Sequence, residues 1–142
     1  MATTYQSILI AAPVDKVWDR IKNFHDMGWA PNVITSLDVE GAKKGHEVGA
    51  KRVLNKAFRE TLQDVNDADR SFGYSIDDGP SPVSKTDVSN YRGRVSVRPV
   101  TESGGTFVEW SSSWENGDRA TGEFCHGIYV ALLGEMKKTL ES

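Results

Sequence analysis

The stretch from Asp118 to Leu140, DRATGEFCHGIYVALLGEMKKTL, decides the fold of this chain. Apolar residues recur in it at steps of three and four, the spacing of an amphipathic α-helix; they are Phe124, Ile128, Ala131, Leu132, Met136 and Leu140. At 1.5 Å per residue such a helix would extend about 30 Å, and its apolar face needs a surface to cover. A curved β-sheet is such a surface, so the stretch predicts a long helix packed on a sheet.

Two glycines, Gly127 and Gly134, interrupt this predicted helix. Each weakens a helix by about 1 kcal/mol relative to alanine. Because glycine has no side chain, two interpretations are open. Either these positions leave room for a ligand beside the helix, or they let the helix backbone pack closely on the sheet.

The N-terminal part of the chain predicts a strand followed by helical segments. Residues 4–10 are β-prone, and Pro13 suits the first turn of a helix of about ten residues. The spacing of the next apolar residues puts them on one narrow helix face; they are Val14, Val17, Trp18 and Ile21. Residues 25–31 combine helix breakers with large apolar side chains, which predicts a second, irregular helical segment able to line an opening.

The middle of the chain predicts six further strands with short turns between them, at 33–39, 50–54, 58–65, 71–77, 91–100 and 106–114. In each of the last three predicted strands, alternate side chains form one face that suits a protein interior. In the last strand this face carries Val108, Trp110, Ser112 and Trp114. The order of elements predicts an α+β fold in one domain, residues 1–142, with an antiparallel sheet of about seven strands wrapped around the last helix.

Composition restricts the classes of partner. A chain of 142 residues can bury a sizeable core without metal or disulfide support, and Cys125 is its only cysteine. The net charge of −3 argues against nucleic acid, which needs a concentrated positive field. No apolar run reaches the roughly 18 residues of a membrane span, so we expect no membrane insertion and a cytoplasmic location. A monomer or a weak homodimer is the expected state.

The chain also resembles a known superfamily. Near its start stands Ile8-x-Ile10-x-Ala12-Pro13-x-x-x-Val17-Trp18, followed by Arg52…Glu60-x-Leu62…Tyr74-Ser75-Ile76…Gly79-Pro80-Ser81-Pro82-Val83…Tyr91…Val97-x-Pro99-Val100…Val108-Glu109-Trp110. This run resembles the START-like superfamily, also called SRPBCC, which includes the birch-pollen-allergen fold, and within it the polyketide cyclase/dehydrase branch. The resemblance implies a helix-grip fold, in which the C-terminal helix closes a deep cavity against a seven-stranded antiparallel sheet. Because relatives bind lipids, sterols, hormones, polyketides and quinones, the fold does not specify the ligand.

If the family's geometry holds, a set of apolar side chains converges between sheet and helix; it comprises Trp29, Tyr74, Trp110, Trp114, Phe124 and Ile128. Aromatic rings there can line a cavity for an apolar ligand or fill the core themselves. Arg52 and Glu60 lie on neighbouring predicted strands, and a buried pair would either orient a polar ligand group or satisfy itself. His25 is expected near the mouth of the cavity.

Motifs for metal or nucleotide chemistry do not occur. His25, His46 and His126 are not spaced as metal ligands, and no HExxH, P-loop, dinucleotide fingerprint or GxSxG motif is present. We therefore expect no metal site and no cofactor.

Three functions remain from the sequence. The first is binding or carriage of a small hydrophobic ligand, lipid, polyketide, sterol or quinone-like, with Arg52, Glu60 or His25 fixing a polar group and the loop 79–83 gating entry. The second is a cyclase/dehydrase-type enzyme that uses the same cavity, with His25, Glu60 or Tyr74 as general acid or base. The third is a protein-interaction module, which an exposed apolar patch around the mouth would favour.

Overall fold

A computed structural model describes all 142 residues. In chain order its elements are β1 (Ala2–Ile10), α1 (Val14–Ile21), β2 (Leu37–Glu40), β3 (Lys51–Leu54), β4 (Phe58–Asn66), β5 (Ser71–Asp78), β6 (Val88–Pro99), β7 (Thr106–Asn116) and α2 (Arg119–Leu140). The strands form one antiparallel sheet in the order β1-β7-β6-β5-β4-β3-β2. This confirms the predicted α+β helix-grip architecture, a curved seven-stranded sheet with a long C-terminal helix.

Two features of the sequence shape the sheet. Alternating side chains give β7 a buried inner face that carries Val108, Trp110, Ser112 and Trp114, as the period of two predicts. Register shifts interrupt the pairing of β4 between Leu62 and Asp64 and that of β6 between Ser89 and Arg92. Such bulges bend and twist a strand, so they help to curve the sheet around α2.

Helix α2 begins at a reciprocal cap. The Asp118 carboxylate accepts a hydrogen bond from the Thr121 backbone N–H at 3.3 Å, and the Thr121 hydroxyl accepts one from the Asp118 N–H at 3.4 Å. Lys137 and Lys138 occupy the last turn, where cations favour the helix dipole. The buried face carries Thr121, Cys125, Tyr129, Leu132, Leu133, Met136 and Leu140. The predicted helix is therefore confirmed, although its buried stripe passes through Cys125 and Tyr129 and leaves Ala131 exposed.

Both interpretations of the two helix glycines are wrong. Gly127 and Gly134 are exposed, and a Cβ atom added at either would meet no atom of another element within 4 Å. They face solvent, because the helix face that packs on the sheet lies on the opposite side. They therefore neither make room for a ligand nor bring the helix backbone close to the sheet.

The second helical segment predicted after α1 does not form. Between Phe24 and Ile34 the chain makes consecutive turns, with the Ala30 N–H donating to the Met27 carbonyl at 3.0 Å and the Ile34 N–H to the Ala30 carbonyl at 2.9 Å. Pro31 lacks the N–H that a continuous helix would need.

Helix α1 is also shorter than predicted, at eight residues, and β2 starts later than predicted, at Leu37.

The outer face of the sheet carries paired charges. Arg94 lies 3.0 Å from Asp64, and Arg98 lies 2.9 Å from Asp69. These two arginines of β6 are therefore neutralised locally by aspartates. Neither helix has the length and apolar composition that crossing a membrane requires.

Candidate functional site

A mainly apolar cavity of about 190 Å³ lies between the inner face of the sheet and α2. Of its 18 lining residues 15 are hydrophobic, and the other three are Arg52, Asn55 and Glu60. The sheet contributes side chains from β3 to β7, among them Leu54, Phe58, Tyr74, Ile76, Tyr91 and Trp110, and the helix contributes Phe124, Cys125, Ile128, Tyr129 and Leu132. The helix residues recur at steps of three and four, so they share one face of α2.

The open side of the cavity is marked by its half-buried lining residues, which are Val33, Ile34, Asn55, Phe58, Ile76, Phe124 and Ile128. Phe58 and Phe124 stack across this side, with ring centroids 6.3 Å apart and ring planes at 20°. Of the loop 79–83, only Val83 lines the cavity, and it is fully buried. The loop thus supplies a wall residue, while the two phenylalanines stand between cavity and solvent.

A buried ion pair forms the polar wall of the cavity. The register of β3 and β4 places Arg52 directly opposite Glu60, and the two residues are 4% and 6% exposed. The Arg52 guanidinium donates to Glu60 Oε1 from Nε at 2.9 Å and from Nη2 at 2.7 Å. Its Nη1 donates to the Phe24 carbonyl at 3.0 Å, and the guanidinium carbon, Cζ, lies 3.8 Å from the centroid of the Phe24 ring. The arginine is therefore held on several sides.

Burial sets the electrostatics of Glu60. Loss of hydration raises the pKa of the Glu60 carboxyl above its usual value, and the charge and hydrogen bonds of Arg52 oppose this shift. A guanidinium does not lose its proton in proteins, and a buried charge needs a partner. The two contacts from Arg52 to Glu60 Oε1 have the geometry of a guanidinium paired with a carboxylate.

A cluster of three tyrosine hydroxyls lies in the cavity wall, contributed by Tyr74, Tyr91 and Tyr129. The Trp110 indole N–H donates to the Tyr74 hydroxyl at 2.9 Å, and that hydroxyl lies 2.9 Å from the Tyr129 hydroxyl. The Tyr129 hydroxyl is also hydrogen-bonded to Tyr91. Burial raises the pKa of all three phenols, so they stay protonated at neutral pH and act as hydrogen-bonding groups, not as bases.

The structure places the sequence-predicted site residues in two groups. Arg52, Glu60, Tyr74, Trp110, Phe124 and Ile128 line the cavity. Trp29 and Trp114 are buried but do not line it: Trp29 packs against Trp110 with centroids 6.4 Å apart, and Trp114 stacks on Tyr91 at 5.6 Å. The aromatic set therefore divides, since part of it fills the core and part of it surrounds a remaining cavity.

His25 does not line the cavity. Its Nε2 atom is 3.0 Å from the Lys51 carbonyl oxygen, and the residue borders a neighbouring surface groove that shares Met27 and Ile34 with the cavity lining. The short turns after α1 direct it outward while Phe24 and Met27 turn inward. Of the three candidate acid–base residues, only Glu60 and Tyr74 therefore reach the cavity.

Sequence reasoning missed Tyr91 and Tyr129 as site residues. Tyr129 stands four residues after Cys125 and three before Leu132, so the helix period could have placed it on the buried face. Tyr91 precedes the inward alternation of Gly93 and Val95 by two residues, which is also a readable signal. Neither the helix period nor the strand period shows that the two hydroxyls meet, because Tyr91 and Tyr129 are 38 residues apart in the sequence.

Comparison with known proteins agrees with this geometry. Residues 1–141 match the family described as polyketide cyclase/dehydrase and lipid transport. A protein of known structure from Nitrosospira multiformis is 42% identical, with a TM-score of 0.97 over 99% of this chain and 97% of that one. The protein XoxI from Bacillus cereus is 29% identical, with a TM-score of 0.79 over 99% of this chain and 96% of that one.

An uncharacterized protein from Bacillus thuringiensis is 26% identical, with a TM-score of 0.78 over 99% of this chain and all (100%) of that one. No curated protein matches the sequence. The family match covers nearly the whole chain, and the architecture is that of the helix-grip fold. The chain therefore belongs to the SRPBCC-type polyketide cyclase/dehydrase and lipid transport family.

Proposed function

We propose that the protein binds a small, mainly apolar molecule in the cavity between the sheet and α2. The observation that carries this proposal is an apolar space of about 190 Å³ beside the buried hydrophobic core. Protein interiors hold few voids larger than a water molecule, because the side chains around a void lose packing contacts. A ligand that fills this space would restore those contacts and would therefore stabilise the folded protein.

The volume of the cavity limits the size of the ligand. Apolar cavities of about 150 Å³ hold benzene, whereas sites for drug-sized molecules measure about 300–1,000 Å³. A molecule of one or two rings therefore fits the cavity as it stands. A sterol or a long-chain lipid would need the stacked Phe58 and Phe124 to move apart.

Native mass spectrometry of the freshly purified protein tests the proposal directly. We expect a stoichiometric adduct of low mass, which organic extraction then releases for identification. For the apo protein, 2-methoxynaphthalene is a suitable neutral two-ring probe, and burial of its surface contributes about 25 cal/mol per Å². Absence of both an adduct and probe binding would contradict the proposed function.

Ile128→Trp is expected to weaken binding of 2-methoxynaphthalene at least about tenfold, or about 1.4 kcal/mol. Ile128 lines the cavity and is only half-buried, so an indole can occupy the space without displacing the backbone. Filling a cavity commonly stabilises a protein, so we expect the melting temperature to stay constant or to rise. Isothermal titration calorimetry, with protein titrated into the probe, measures the affinity.

The neighbouring substitution Gly127→Trp is the matched control. It adds the same indole one residue earlier, at a position that faces solvent and has open space around it. We expect its affinity for the probe to equal that of the wild type. If both variants bind like the wild type, the helix side of this cavity is not the binding site.

Acid–base catalysis in the same cavity is the second candidate function, and the state of Glu60 favours it. Its pKa is raised by burial, and one of its carboxylate oxygens accepts no hydrogen bond from the protein. A carboxylate in that state suits proton abstraction next to a carbonyl, with a tyrosine hydroxyl donating to the oxygen. Tyr74 serves only as such a donor, because its pKa is raised well above its usual value.

Deuterium exchange tests this second function. With 2-tetralone, a two-ring ketone with hydrogens beside its carbonyl, the wild type is expected to speed exchange of those hydrogens in D₂O, as followed by NMR. Glu60→Gln should abolish the acceleration, since an amide is not a base. An exchange rate equal to that of buffer alone would leave binding without catalysis.

A further inference from the structure

One carboxylate oxygen in the cavity wall is left without a partner. Both hydrogen bonds from Arg52 go to Oε1 of Glu60, and no N–H or O–H of the protein donates to Oε2. Glu60 lines the cavity and is 6% exposed. A carboxylate oxygen accepts more than one hydrogen bond, so Oε2 has full capacity for a donor inside the cavity.

The tyrosine cluster forms a second polar part of the cavity wall. Its three hydroxyls carry three hydrogens, whereas only two O···O hydrogen bonds join them, Tyr74 to Tyr129 and Tyr129 to Tyr91. The Trp110 N–H brings a further hydrogen and takes none up. The remaining hydrogen has other groups within reach, because the Tyr91 hydroxyl also lies beside the Cys125 and Ser112 side chains. Glu60 Oε2 is therefore the polar atom of the wall that is left for a ligand.

No free positive charge lies in the cavity wall. Arg52 is its only cationic lining residue, and it is bound to Glu60 and to the Phe24 carbonyl. Asn55, the remaining polar residue, donates to the Val33 carbonyl at 3.0 Å and accepts from the Thr35 N–H at 2.8 Å. A ligand carboxylate would meet the charge of Glu60 without a compensating cation, and burying it would be costly.

From these contacts we infer that the ligand is a neutral one- or two-ring compound that carries a hydroxyl group, such as a phenol or a cyclic alcohol, and that the hydroxyl donates to Glu60 Oε2. Free fatty acids and other carboxylates are excluded by charge. This inference rests on the proposed binding function and adds the chemical class of the ligand.

Three probes with the same ring system test the ligand class. 2-Naphthol can donate and accept, 2-methoxynaphthalene can only accept, and 2-naphthoate is an anion. Because a hydrogen bond to a charged group is among the stronger ones, 2-naphthol is expected to bind at least about tenfold more tightly than either of the other two at neutral pH. Reverse isothermal titration calorimetry on the wild-type protein gives the three affinities.

A double variant and a control assign the preference to Glu60. Arg52→Met with Glu60→Leu removes the ion pair and keeps an apolar wall, so 2-naphthol and 2-methoxynaphthalene should then bind with equal affinity, through burial of their rings. Gly127→Ala, on the solvent side of α2, should keep the wild-type preference. If the double variant does not fold, the comparison of the three probes on the wild type still decides the class.

The outcomes separate this inference from the proposed function. Equal wild-type affinities for 2-naphthol and 2-methoxynaphthalene, or tighter binding of 2-naphthoate, would overturn the ligand class and leave a binding cavity in place. A preference for 2-naphthol that survives in the folded double variant would overturn the role of Glu60. Failure of all three probes to bind the wild type would overturn the proposed function and the inference with it.

Discussion

Gly93→Ala is expected to lower the free energy of unfolding by about 3 kcal/mol or more, through overpacking and broken hydrogen bonds. Gly93 lies opposite Tyr74 in the sheet, and the Tyr74 ring lies over its backbone. An added Cβ atom would stand 2.5 Å from the Tyr74 hydroxyl oxygen and closer still to the ring. The ring would have to move, and the Tyr74 hydroxyl would lose its hydrogen bonds with the Trp110 indole and the Tyr129 hydroxyl. For a chain of this length we expect a fall of roughly 10 °C in melting temperature.

A double-mutant cycle shows whether Tyr74 is the cause. With Tyr74→Ala in the background the ring is absent, so Gly93→Ala should then be neutral or slightly stabilising, since alanine suits a strand better than glycine. Chemical denaturation of the four proteins gives the coupling energy. A cost of less than about 0.5 kcal/mol for Gly93→Ala in the wild-type background would contradict the tight packing of Tyr74 on β6.

Arg52→Met is expected to destabilise the protein by about 3–5 kcal/mol at neutral pH, because it leaves the Glu60 carboxylate buried without a counter-charge. The loss should shrink as the pH falls. The pKa of Glu60 is already raised by burial, and without Arg52 it rises further. A carboxyl whose pKa is higher in the folded than in the unfolded state binds protons preferentially when folded. Its destabilising effect therefore grows as pH rises from the unfolded pKa to the folded pKa, and it disappears below the unfolded pKa.

The double variant Arg52→Met with Glu60→Leu is the control for this prediction. Replacement of a whole buried ion pair by apolar side chains is often neutral or stabilising, so we expect a stability within about 1 kcal/mol of the wild type. Urea denaturation of the wild type, the single and the double variant at about pH 5 and about pH 7.5 measures both effects. If the single and the double variant lose the same free energy of unfolding, the pair contributes through packing alone. The same conclusion would follow if the loss in Arg52→Met did not depend on pH.

The helices and strands could be read from short-range patterns. The steps of three and four in α2, the alternation in β5 to β7 and the turn residues between them predicted the architecture, and the structure confirms it. The sequence also placed Arg52 and Glu60 on neighbouring strands, and the register of β3 and β4 in the structure sets them opposite each other. The segment from Phe24 to Ile34 was harder, since its large apolar residues suit a helix while Gly28 and Pro31 prevent one.

What the sequence by itself determined is therefore the set of elements, the inward faces of most strands, and the family. The elements and faces depend on residues that are near one another in the chain, and the family depends on motifs spread from Ile8 to Trp110. The tertiary structure alone decided that Gly127 and Gly134 face solvent, that His25 lies outside the cavity, and that three tyrosines from β5, β6 and α2 share hydrogen bonds. It also decided that a cavity exists. A volume of about 190 Å³ is the small space left after side chains from many elements have packed, and no local sequence pattern encodes it.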